Sequence, residues 1–196
     1  MELWLYGGGR MLQDSLAAAC LFPNLKVLCL EPTHQRLTRG NREGRLDLAV
    51  LEPLSALERL QCSLCESVAL KGSTMLPQLR SLHLCSVDSI DIGAALPRLK
   101  DLRVLHSGVL QLEGPHLQLP QLSQLSLRNI KSGAVSWSAM PQLTAVTVLG
   151  CQQMTTAALP QLGRLASLAL GWSKESWEVV GRVLHSTPPS LRHLCF

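Results

Sequence analysis

A chain of 196 residues, 46% of them hydrophobic, can bury a sizeable core, yet it has one tyrosine and two phenylalanines. Compact cores lean on aromatic side chains, whereas a repeat solenoid can fill a long, thin core with a single aliphatic type. The formal net charge of +4 is too mild to argue for nucleic acid by itself, and no apolar run reaches the roughly 18 residues that a membrane span needs.

The first element in chain order is Leu3-Trp4-Leu5, half of a strand motif. It leads into Gly7-Gly8-Gly9-Arg10, which reads as a strand-to-helix turn and lacks the Lys-Ser/Thr ending of a nucleotide loop. Met11, Leu12, Leu16, Ala17, Ala19 and Cys20 have helical spacing, which predicts a helix over 10–21. Pro23, Leu25, Leu28 and Leu30 then spell Pro-x-Leu-x-x-Leu-x-Leu for the first time. Residues 33–48, with Arg36, Arg39, Arg42 and Arg45, read as an inserted, exposed basic loop.

A looser copy follows at Leu57, Leu60 and Cys62, and full ones start at Pro77, Pro97, Pro120 and Pro141. Another loose copy is Leu165, Leu168 and Leu170, and the last is Pro189, Leu191, Leu194 and Phe196. The first leucines (valine replaces some later ones) fall at 57, 79, 99, 122, 143, 165 and 191, in steps of 22, 20, 23, 21, 22 and 26. The spacers 87–96 and 109–119 are too short and mixed for full helices, so turns and short helical pieces are expected there. Trp177, Val180 and Leu184 share one stripe and predict a helix over 173–184.

Elementary energetics explain this spelling. The last two leucines of each copy sit two apart, so both leave the same face of a short strand. Burying three aliphatic side chains contributes ~5–9 kcal/mol, while ordering some twenty backbones costs ~1–2 kcal/mol each. One copy cannot fold alone, and stacked neighbours must share a core. The proline that recurs before most strands fixes φ and stops any preceding helix.

Eight copies at this period resemble the leucine-rich repeat superfamily over essentially the whole chain. The resemblance implies an α/β solenoid, a single domain over 1–196. It would be a horseshoe with a parallel concave sheet and short helices or turns on the convex side. In that family the residue three after the last strand leucine often forms a buried polar ladder. Here it is Thr33, Cys65, Val87, Ser107, Ile130, Cys151 and Ser173, an eroded ladder. The copy from Leu143 to Cys151 resembles the cysteine-containing subclass found beside F-boxes and in ribonuclease-inhibitor-like relatives. That implies a protein–protein interaction module, the substrate-recognition part of an F-box-type ubiquitin-ligase adaptor. No F-box-like segment precedes the repeats and both ends fall inside motifs, so a fragment of a longer horseshoe is expected. The alternatives are a structural subunit of a large assembly and, behind it, a nucleic-acid-binding repeat protein.

No catalytic motif appears, and the chain reads as a binding protein without cofactor or metal. Cys62-x-x-Cys65 lacks a second ligand pair and occupies a strand-leucine and a ladder position, so both thiols are expected to pack inward. Seven scattered cysteines make a poor disulfide framework, and no signal peptide is read, so cytoplasm or nucleus is expected. The positions alternating with the strand leucines face the inner surface. There Arg59, His83, Arg103, His106, Arg128 and Trp172 are the candidate partner-binding residues.

Overall fold

The computed structural model describes residues 1–6, 16–31, 45–71, 76–154, 163–171 and 189–195. In chain order the strands are β1 (Glu2–Tyr6), β2 (Val27–Glu31), β3 (Arg45–Asp47), β4 (Arg59–Ser63) and β5 (Ser67–Leu70). Next come β6 (Ser81–Cys85), β7 (Ser89–Ile92), β8 (Asp101–Leu105), β9 (Val109–Leu112) and β10 (Gln124–Arg128). The last five are β11 (Ser132–Val135), β12 (Ala145–Leu149), β13 (Gln153–Met154), β14 (Ser167–Leu170) and β15 (His193–Cys195).

Two parallel sheets result. The first has nine strands in the order β1-β2-β4-β6-β8-β10-β12-β14-β15, and the second has six in the order β13-β11-β9-β7-β5-β3. The chain alternates between the sheets through its middle, making this a parallel β-solenoid. In the first sheet β1 carries the half-motif Leu3-Trp4-Leu5, and each of the other eight strands carries one copy of the repeat. In β8, Leu102 and Val104 are fully buried while Arg103 is exposed. The second sheet sends Ile90, Ile92, Leu110 and Leu112 into the same core.

The second sheet corrects the expectation of an α/β chain with short helices or turns behind the first. The spacers 87–96 and 109–119 contain β7 and β9, and the described helical pieces are residues 16–19 and two 3-10 turns, Leu48–Leu51 and Trp137–Ala139. The reason lies in Ser89-Ile-Asp-Ile and Val109-Leu-Gln-Leu, whose buried residues alternate with period two. Strand pairing also satisfies the spacer amides across neighbouring coils, as a half-turn of helix cannot.

The middle coils repeat the same corners. The prolines sit at the second position of hydrogen-bonded turns, in which Leu79, Leu99, Leu122 and Leu143 donate their N–H to Leu76, Leu96, Leu119 and Met140 at 3.1–3.3 Å. After the strand, Leu64, Ser86, His106 and Asn129 adopt left-handed backbone with φ from 55° to 58°. Each of these four donates its N–H at 2.7–2.8 Å to the carbonyl that ends the next strand of the first sheet. That repeated bond offsets the cost of placing a residue with a Cβ there, about 1–2 kcal/mol.

Of the ladder positions, Cys65, Val87, Ser107, Ile130 and Cys151 are all buried. Cys65, Ser107 and Cys151 each donate to the carbonyl two residues earlier, at 3.4, 3.5 and 3.6 Å. Residues 33–44 of the expected basic loop lie outside the described residues. The remainder of that segment carries β3, with Leu46 and Leu48 in the core. The Gly7–Arg10 turn, the helix over 173–184, residues 10–15 of that over 10–21, and Thr33 and Ser173 also lie outside them.

Candidate functional site

The outward side chains of the first sheet form rows because parallel, in-register pairing stacks equivalent residues one strand apart. One row runs Arg59, Ser81, Asp101, Gln124, Ala145. The next runs Gln61, His83, Arg103, Ser126, Thr147, and the third Ser63, Cys85, Leu105, Arg128, Leu149. The first two rows are those that the repeat spells; the third places Arg128 one position past the motif on the same face.

Over the middle strands this face sinks into a depression of about 360 Å³, with Asp101, Arg103, Gln124, Ser126, Arg128 and Thr147 among its lining residues. Small side chains at Ala145 and Ser126 leave the space, and longer ones on β8 and β10 wall it. Asp101 is the electrostatic hub. Arg103 Nε donates to Asp101 Oδ1 at 3.2 Å and forms an ion pair with Oδ2 at 3.0 Å, and His83 Nε2 lies 3.3 Å from Oδ2. Ser81 Oγ is 3.2 Å from the same His83 nitrogen.

Serine, histidine and aspartate thus meet, but not as a proton relay. A relay needs the nucleophile and the carboxylate on different ring nitrogens, and here both meet Nε2.

The candidate residues separate. Arg103 and Arg128 share the depression, and His83 joins them through Asp101. Arg59 is exposed on β4, outside the depression. His106 does not line the depression; it sits in the left-handed corner after β8, where the Asn129 side-chain amide donates to its Nδ1 at 3.1 Å. Trp172 lies outside the described residues.

Selecting cations and one tryptophan missed Asp101, Gln124, Ser126 and Thr147, although the alternation already put them on this face. It also missed Trp4 and Tyr6, about half exposed on β1 at the far end of the same rows. The half-motif Leu3-Trp4-Leu5 held that signal for Trp4.

The buried thiols are not equipped as nucleophiles. Burial pushes Cys65 up to about 12, and burial followed by its neighbours Cys65 and Cys29 pushes Cys62 well above the usual thiol value. Burial, helped by Glu31 and Glu2, also raises Cys29. Among the described residues no three His, Cys, Asp or Glu side chains gather as a metal site. A second depression, about 410 Å³, is lined by Leu117, Pro120, Ser136, Ser138 and Pro141 among others and has no charged lining residue.

Fold and face define a class: a parallel β-solenoid that presents a polar, indented sheet surface. No family model, no curated protein and no solved structure matches the chain.

Proposed function

We propose that this chain is a protein-recognition module of the leucine-rich repeat kind, whose partner lies on the open face of the first sheet over β8, β10 and β12. The observation that carries the reading is the depression between Asp101 and Thr147. It lies mid-sheet, where strands are paired on both sides, so the walls are held rigidly and a partner loses little entropy in ordering them. In this reading the sheet is the concave face of a horseshoe. Support comes from the repeat on the eight strands after β1 and from the back-bonded Cys65, Ser107 and Cys151. The last of these features also supports the finer reading, the substrate-recognition part of an F-box-type adaptor. The seven thiols are all unpaired, which suits cytoplasm or nucleus.

Thr147→Arg fills the depression from a half-exposed position without touching the core. Affinity capture from cell extract with wild type and this variant, matched for thermal stability, tests the reading. Proteins held by wild type alone are expected. An identical set on both removes the face from the function.

A further inference from the structure

The depression has an unbalanced charge. Arg103 is tied to Asp101 through its Nε alone, and Arg128 forms no ion pair or side-chain hydrogen bond among the described residues. A guanidinium carries five N–H donors. The four terminal ones of Arg103 and all five of Arg128 therefore remain available to a ligand.

Their placement lets both forks serve one anion. Arg128 pairs with Leu105, two residues beyond Arg103 on the neighbouring strand. Two residues along and one strand across put the two Cα atoms about 8 Å apart, and both side chains rise from the same face into the same hollow. Between and beside them stand the Ser126 and Thr147 hydroxyls and the Gln124 carboxamide, which suit the uncharged peptide groups that flank an acidic residue.

Resting on the reading of the face given above, we propose that the partner segment entering this depression is acidic, with an aspartate or glutamate carboxylate held between Arg128 and Arg103. The charge sum chooses carboxylate over phosphate. The charged side chains that line the hollow, Arg103, Arg128 and Asp101, sum to +1, which one carboxylate cancels. A phosphate dianion would leave it at −1 beside Asp101 in a partly desolvated recess, where like charges repel more strongly than in bulk water.

The test is an NMR titration of the full chain with three capped pentapeptides, acetyl-Gly-Ser-X-Ser-Gly-amide, with X as glutamate, glutamine or phosphoserine. The glutamate peptide is expected to move the Arg103, Ser126, Arg128 and Thr147 amides at low salt, the glutamine peptide at least about tenfold less, and the phosphoserine peptide less than the glutamate one. Arg128→Gln should remove the response and Arg128→Lys should keep part of it, since a charge remains but the fork does not. Equal responses to glutamate and glutamine, tighter binding of phosphoserine, or shifts mapping elsewhere would overturn the inference. Partner capture separates the two levels. Loss with Thr147→Arg but full retention with Arg128→Gln overturns the carboxylate alone, whereas retention with both overturns the face.

Discussion

Gly108 has no room for a side chain. A methyl on its Cα would collide with the backbone carbonyl of Asp88, on the neighbouring coil at the entry to the second sheet. Backbone cannot swing aside as a side-chain end can, so Gly108→Ala is expected to lower stability by about 1–3 kcal/mol. Gly163→Ala, with nothing within 4 Å of the new methyl, should stay within ~0.5 kcal/mol of wild type. Urea unfolding of the two variants checks this; equal midpoints would contradict the close approach.

Cys65 makes a second residue-scale expectation. Its thiol is held at about 12 in the folded protein against an ordinary 9.0, which is where the unfolded chain titrates. Between those values the unfolded state has lost its proton while the native state keeps it. Stability therefore falls as pH rises through that window, by up to about 1.4 kcal/mol per pH unit for the thiol. Cys62 acts in the same direction. The urea midpoint should drop between pH 9 and 11, and drop less in Cys65→Ala; parallel declines would show that the thiol is not responsible.

At the scale of the element, a solenoid strand is held by its two neighbours more than by its own propensity. Leu102 on β8 is fully buried between β6 and β10, whereas Leu3 on β1 is half-buried and pairs on one side only among the described residues. Leu102→Ala is expected to cost about 2–5 kcal/mol and Leu3→Ala clearly less, read from denaturant midpoints; a reversed order would refute this account of the stack. The two sheets differ in legibility for the same reason. The first announces itself through leucines at fixed offsets from a proline, because that turn, that leucine and that strand form one local unit. The second is written in four-residue stretches such as Ser-Val-Ala-Leu and Ser-Gly-Ala-Val. Such stretches carry too few alternations to stand apart from a turn. They become strands because the adjacent coil presents the matching edge at the right height.

Over the whole molecule the same division holds. The period and the Leu-x-Leu spelling determined that the chain stacks as a solenoid with a parallel sheet, and which side chains leave that sheet outward, since strand alternation admits no other assignment once the leucines are inside. Those facts are local and repeat in every copy. The second sheet, the left-handed corners and the site itself were decided only in three dimensions. Asp101, Arg103 and Arg128 stand in the sequence as separate outward residues. Their meeting depends on β8 and β10 lying side by side in register, on His83 and Arg103 taking up the Asp101 carboxylate, and on small residues on β10 and β12 leaving a hollow beside Arg128. No single copy contains that arrangement, because it arises from the differences between neighbouring copies rather than from what they share.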